Sequence, residues 1–126
     1  MTALLSVGSN FGNRQLSVEC AIAFISSFIK VLRRTPIYES PDCYGSECRY
    51  MNAVLEIETE LTEESLNSKF KAYEAECGRD AQSRESGEVC VDIDIVKWGD
   101  ALRRHSDFKA RYFQMGLRLL RLQSTI

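Results

Sequence analysis

Hydrophobic and polar positions change period several times along the chain, and each change marks an element. Ala3 to Val7 is an apolar run that reads as a first strand, closed by Gly8-Ser9-Asn10-Phe11-Gly12-Asn13, which is rich in turn formers. Leu16, Cys20, Ala23 and Phe24 recur at helical spacing and predict a helix over 14–28. Ile29 to Arg34 and Ile37 to Glu39 read as strand, interrupted near Pro36. Proline has no N–H to give to a ladder, so this stretch is predicted to be a sheet edge. Ser40 to Arg49, with Pro41, Asp42, Gly45 and Ser46, is predicted to be a loop. Tyr50 to Glu58 is the next strand, with Leu55, Ile57 and Thr59 alternating against Val54, Glu56 and Glu58.

Thr62 is a good N-cap, and Glu63 and Glu64 complement the positive end of a helix dipole. Leu66, Phe70, Tyr73 and Cys77 then form an i, i+4, i+7, i+11 stripe suited to packing on a sheet, with Gly78 at C′. Residues 80–88 are polar and predict a loop. Val89-Cys90-Val91-Asp92-Ile93-Asp94-Ile95-Val96 is a strand that stops at Trp98-Gly99-Asp100, and a last helix is expected from about Asp107 to Leu122. The order β-α-β-β-α-β plus a C-terminal helix matches an α+β, ferredoxin-like split βαβ arrangement: an antiparallel sheet with helices on one face. No repeat, linker or second domain interrupts it, so 1–126 is expected to be one domain.

The strand at 89–96 carries the chemistry. Side chains alternate faces along a strand, so Val91, Ile93 and Ile95 share one face while Asp92 and Asp94 share the other. Two carboxylates this close repel unless a cation or hydrogen-bond donors neutralise them. Such a pair suits Mg²⁺, which takes one or two protein carboxylates and completes its octahedron with water and phosphate oxygens. On pattern alone, a half-buried strand with a solvated polar face fits as well.

Composition narrows the class. A chain of 126 residues, 44% hydrophobic and 27% charged, has the make-up of an ordinary globular domain rather than a disordered segment. No apolar run approaches the roughly 20 residues needed to cross a bilayer, so no membrane partner is expected. Met1-Thr2-Ala3-Leu4-Leu5 lacks the basic region and long apolar core of a signal peptide. The five cysteines, at 20, 43, 48, 77 and 90, are odd in number and include no Cys-x-x-Cys. They read as reduced thiols of a cytoplasmic protein. Cys43 and Cys48 lack a second cysteine pair and His105 is the only histidine, which disfavours structural zinc. A net charge of −2 argues against a dedicated nucleic-acid binder. From Ala101 onward, however, Arg103, Arg104, Lys109, Arg111, Arg118 and Arg121 stand against Asp107 alone, a balance suited to an anionic ligand such as phosphate, to a polyanion, or simply to solvent.

Separated segments resemble one family. Val7-Gly8-Ser9-Asn10-Phe11-Gly12-Asn13-Arg14 looks like its N-terminal signature, and Tyr38-Glu39-Ser40-Pro41 with Tyr50-Met51-Asn52-Ala53-Val54 like its substrate loop and third strand. Glu74 with Gly78-Arg79 resembles the end of its second helix, and Val91-Asp92-Ile93-Asp94-Ile95 its metal-binding strand. The family is 6-hydroxymethyl-7,8-dihydropterin pyrophosphokinase, of folate biosynthesis, and the resemblance runs from residue 3 to about 113.

The resemblance implies transfer of a pyrophosphoryl group from ATP to the hydroxymethyl oxygen of a reduced pterin, with release of AMP. It implies two Mg²⁺ ions held by Asp92 and Asp94. It places Arg79, His105 and Arg111 on the phosphates beside those carboxylates as catalytic residues, and Glu74, Arg79, Ile95, His105 and Arg111 around the nucleotide. Ser40, Pro41, Cys43, Tyr50, Asn52 and Phe113 would bind the pterin. A flat heteroaromatic ring is well held between aromatic faces, here Tyr50 and Phe113, with the Asn52 amide reading its donor and acceptor edge. On pattern alone, Tyr50 is an outward strand aromatic and Phe113 a helix core residue. Gly8, Ser9 and Asn10 are expected to shape the turn beside the pocket. No G-x-x-x-x-G-K-[ST] motif is present, so metal and arginines would do the phosphate work.

The chain also departs from the family pattern. Ser86, Glu88 and Val89 stand where the family carries Trp, Pro and Arg, Ala81 and Gln82 occupy positions that are often basic, and Ser106 follows His105 in place of an aromatic hydroxyl. Arg84, Arg103 and Arg104 are the candidate substitutes. Two other readings stay open: a non-catalytic relative that keeps the pterin or nucleotide pocket, and a ferredoxin-like interaction domain whose basic tail meets nucleic acid or a protein.

Overall fold

The computed structural model describes residues 1–42, 45–77 and 90–123. In chain order these form β1 (Thr2–Ser9), α1 (Arg14–Ser26), β2 (Lys30–Arg34), β3 (Tyr38–Asp42), β4 (Gly45–Glu58), α2 (Glu63–Glu76), β5 (Asp92–Trp98), β6 (Ala101–Leu102), α3 (His105–Lys109) and α4 (Arg111–Gln123). Among the described residues the strands make one antiparallel sheet in the order β2-β4-β1-β5-β6, with β3 also paired to β4.

Local signals start the helices where expected. Asn13 Oδ1 accepts the Leu16 N–H at 3.2 Å, and Thr62 Oγ1 accepts the Ser65 N–H at 3.1 Å, each satisfying an orphan donor of a first turn. The stretch 40–49 differs from expectation. β3 and the start of β4 pair as a hairpin with Asp42 opposite Gly45, so strand replaces most of the predicted loop. β4 is 14 residues long and offers one edge to β2 near its end and to β3 near its start. The turn-forming residues are tolerated because β3 is an edge strand. At the kink between β2 and β3, buried Thr35 donates its N–H to the Val54 carbonyl and accepts the Val54 N–H at Oγ1, both at 3.0 Å.

Alternation along β1, β4 and β5 divides the molecule into two cores. Leu5, Val7, Leu55, Ile57, Ile93 and Ile95 face Val18, Ile22 and Ile25 of α1 and Leu66 and Phe70 of α2. On the opposite face, Val54 and Val96 pack against Phe113, Leu117 and Leu120 of α4. Helices on one face holds for α1 and α2, and the additional C-terminal helix α4 covers the other face. The C-terminal helix also breaks at Ala110, whose ψ of 147° is extended, leaving α3 and α4 as separate segments. α4 approaches the sheet closely at Gly116, where a Cβ would collide with the Val54 side chain and the Tyr38 hydroxyl. That hydroxyl donates to the Tyr112 carbonyl at 2.7 Å and ties the start of α4 to β3.

Candidate active site

Residues directly opposite each other in an antiparallel ladder project to the same face. Tyr38 pairs with Asn52, Asn52 with Gly8, and Gly8 with Asp92. One row thus crosses four strands, and it faces away from α1 and α2. The next row on this face holds Val54, Ser6 and Asp94. Gly8 has no side chain to fill its place in the first row: a Cβ there would press on Asn52 Oδ1 at 3.2 Å and Tyr50 Cδ1 at 3.3 Å. With strands about 4.8 Å apart, the glycine leaves a gap of roughly 10 Å between the backbones that carry the amide and the carboxylate.

At one end of the row, Asn52 is buried and its orientation is set. Its Nδ2 donates to Ser40 Oγ at 2.6 Å and to the Tyr50 carbonyl at 3.3 Å. Tyr50, two residues back along β4, shares the Asn52 face and is half-buried.

At the other end lie the carboxylates, on a strand that β6 pairs only at Lys97 and Trp98 among the described residues. α2 meets the edge away from β1 with side chains. The Ile93 N–H donates to Glu74 Oε2 at 2.8 Å, and Lys71 Nζ donates to the Ile93 carbonyl at 3.1 Å and to Glu74 Oε2 at 3.0 Å. The clamp gives a strand edge its missing partners. Glu74→Ala is expected to cost about 1–3 kcal/mol, because it leaves the Ile93 N–H buried without its acceptor. Urea unfolding with an unchanged m-value checks this. Weaker nucleotide binding with no loss of stability would instead make Glu74 a ligand-contacting residue.

Asp94 is 14% exposed and Asp92 31% at their side chains. Burial, then the charge and hydrogen bond of Asp92, push the Asp94 carboxyl up to about 7, while Lys71 and Arg104 oppose that shift. Lys71 Nζ lies 3.4 Å from Asp94 Oδ1, and Arg104 Nη1 lies 3.8 Å from the same atom. Burial works against the Lys71 charge, but Asp94, Glu74 and Asp92 together hold its pKa above the usual lysine range. Among the described residues no group of three or more His, Cys, Asp or Glu is arranged to hold a metal ion. Two carboxylates with room for water and phosphate oxygens fit Mg²⁺, not a site made wholly of protein ligands. A cleft of about 640 Å³ opens beside Asp94, between the start of α2, β5 and the segment leading into α3. Thr62, Glu63, Glu64, Asn67, Lys71, Ile95, Arg103 and Arg104 line the rest of it.

The family model for 7,8-dihydro-6-hydroxymethylpterin-pyrophosphokinase matches residues 4–122. The chain belongs to this family. Among its relatives, the 2-amino-4-hydroxy-6-hydroxymethyldihydropteridine pyrophosphokinase of Haemophilus influenzae is 29% identical over 118 residues, covering 91% of this chain and 73% of that protein. The protein of the same name from Aquifex aeolicus is 31% identical over 104 residues, 82% of this chain and 64% of that one. The folic acid synthesis protein fol1 of Schizosaccharomyces pombe is 32% identical over 103 residues, 79% of this chain. The match spans only 14% of fol1, so the chain corresponds to a small part of that relative.

In this pyrophosphokinase-family chain, the structure brings some of the predicted residues together and not others. Ser40, Tyr50 and Asn52 come together at one end of the row, Asp92 and Asp94 at the other, and Ile95 lines the cleft. Pro41 lies in β3, while Cys43 and Arg79 lie outside the described residues, as do the polar stretch 80–88, Gly78 and Val89. His105 and Arg111 open α3 and α4, are exposed, and are not among the residues lining the cleft.

Phe113 is 0% exposed and packed with Val54, Val96, Leu117 and Leu120. Glu74 is buried as an acceptor for the β5 backbone and is not among the residues lining the cleft. Arg104, one of the candidate substitutes, does reach Asp94, and Arg103 lines the cleft with its Nε 2.9 Å from Glu63 Oε2. The pattern passed over Lys71. Its spacing of three residues from Glu74 is an ordinary helix-surface ion pair, and nothing local ties it to Asp92 or Asp94.

Proposed function

We propose that this chain transfers the pyrophosphoryl group of ATP to the hydroxymethyl oxygen of 6-hydroxymethyl-7,8-dihydropterin, releasing AMP, with Mg²⁺ held by Asp92 and Asp94. The carrying observation is the row in which Gly8 separates the Asn52 amide from the Asp92 carboxylate. A flat ring read by Asn52 and flanked by Tyr50 can lie over Gly8 with its substituent directed toward the carboxylates. The cleft beside Asp94 is lined by Lys71, Arg103 and Arg104 together with Glu63 and Glu64, and its three cations are the groups that would meet a triphosphate. Mg²⁺ bound by the two carboxylates would offset charge on the transferring phosphoryl oxygens. The protein's own contribution is positioning: rigid strands fix the acceptor oxygen and the donor phosphate in line, and little covalent chemistry is left for side chains. His105, Arg111 and Arg79 enter this reading as further phosphate contacts. The strand order β2-β4-β1-β5 supports the ferredoxin-like arrangement, and the free thiols of Cys20, Cys77 and Cys90 support a reducing compartment, the cytoplasm. Among the described residues no helix is long and apolar enough to cross a membrane.

The deciding experiment incubates the chain with ATP, Mg²⁺ and the reduced pterin and identifies the nucleotide product. AMP is expected; ADP, or no nucleotide turnover at all, overturns the transfer. Pterin binding without AMP release would assign the chain to the non-catalytic reading. Asn52→Ala is expected to weaken pterin binding about 10- to 100-fold, the consequence of removing a buried, pre-oriented hydrogen-bonding group. Fluorescence titration with the pterin checks it, and unchanged affinity would remove Asn52 from the ring site.

A further inference from the structure

The Asp92–Asp94 pair already has a cation beside it, and that cation is part of the chain. Lys71 Nζ stands 3.4 Å from Asp94 Oδ1 and 3.8 Å from Asp92 Oδ1, and contacts of 3.0 Å to Glu74 Oε2 and 3.1 Å to the Ile93 carbonyl keep it there. Three carboxylates thus share this ammonium, and Asp94 also has Arg104 Nη1 at 3.8 Å. The place that the ammonium neutralises is the place a divalent cation would take, and two positive centres within a few ångströms oppose each other strongly in a partly desolvated site.

We propose that Lys71 is a built-in counter-cation that a divalent metal ion must displace from Asp92 and Asp94. The consequence is that metal alone binds weakly and binds well only together with a polyphosphate, which gives the displaced ammonium a new anionic partner. This rests on the reading that the two carboxylates hold metal. The lysine is placed for such a movement. Its side chain is 43% exposed and lines the cleft beside Asp94, so rotation about its flexible stem carries the charge from the carboxylates into the cleft while α2 stays where it is. Lys71 then acts as a positioning residue that couples the two ligands. By linkage, whatever factor the polyphosphate adds to metal affinity, the metal adds to polyphosphate affinity.

The test uses Mn²⁺ as the probe, with free Mn²⁺ followed by electron paramagnetic resonance as it is titrated into the full chain. Titrations are run without nucleotide and then with the α,β-methylene analogue of ATP. Lys71→Met and Lys71→Gln are expected to bind Mn²⁺ alone at least about tenfold more tightly than the unmodified chain, and to show a smaller gain when the analogue is added. Lys71→Arg, which keeps the charge, is expected to behave like the unmodified chain. Thermal melting of each variant confirms that it is folded. Equal Mn²⁺ affinity in the unmodified chain, Lys71→Met and Lys71→Gln, at a site that Asp94→Asn abolishes, overturns the inference while leaving the metal site standing. Mn²⁺ binding that Asp94→Asn does not change overturns the metal site and the inference together.

Discussion

Asp94→Asn is expected to abolish Mg²⁺-dependent ATP binding and to lower AMP release by at least about a hundred- to a thousandfold, the scale on which loss of one group stabilising developing charge is felt. Asp92→Asn is expected to act in the same direction. The two are not expected to be additive, because the carboxylates serve one site. The metal-free protein should remain folded in both variants. An amide keeps the volume of the side chain and removes the mutual repulsion that, together with burial, raises the Asp94 pKa. Isothermal calorimetry with ATP, in the presence and absence of Mg²⁺, separates the effect on binding from any effect on folding. If both variants retain the Mg²⁺-dependent affinity, the two aspartates are a polar strand face and nothing more.

Phe113→Ala is the substitution with the largest expected effect on stability, a loss of about 3–5 kcal/mol. The ring is wholly buried between α4 and the sheet, with Phe108 5.8 Å away between ring centroids, and deleting it leaves a cavity that the rigid strands cannot collapse to fill. Against a total of about 5–15 kcal/mol for a typical domain, that is a large fraction, and it should appear as a much lower urea midpoint. Phe113→Leu should recover most of it. This pair of variants also decides between the two roles that the residue's position suggests. A stacking face for the pterin would show as lost pterin affinity with little change in the midpoint; a core residue shows the reverse.

The elements were legible because their signals are local. Period-two alternation put Val91, Ile93 and Ile95 in the core and Asp92 and Asp94 on the other face, and the structure buries the first three at 1%, 0% and 6% exposure. The Thr62 cap and the Leu66–Phe70 stripe of α2 were equally plain, since both are set by residues within a turn or two of each other. The hairpin at β3 and β4 was missed because proline and glycine argue for a loop unless one knows that the strand lies at an edge, which is a property of the sheet.

The opposite face shows the same limit. Val54 lies in the same alternating set as Glu56 and Glu58, and only the docking of α4 makes it a core residue. The alternation of each strand, the helix starts and the presence of a paired carboxylate followed from the sequence by itself. The tertiary structure alone decided that Asn52, Gly8 and Asp92 stand in one row, that Phe113 is buried, and that Lys71 and Arg104 are the described cations that reach Asp94. The physical reason is that a strand's period says which face a side chain takes but not which residue lies opposite it. Register and helix docking are settled by how distant segments bury their apolar faces together, and that information is spread over the whole chain.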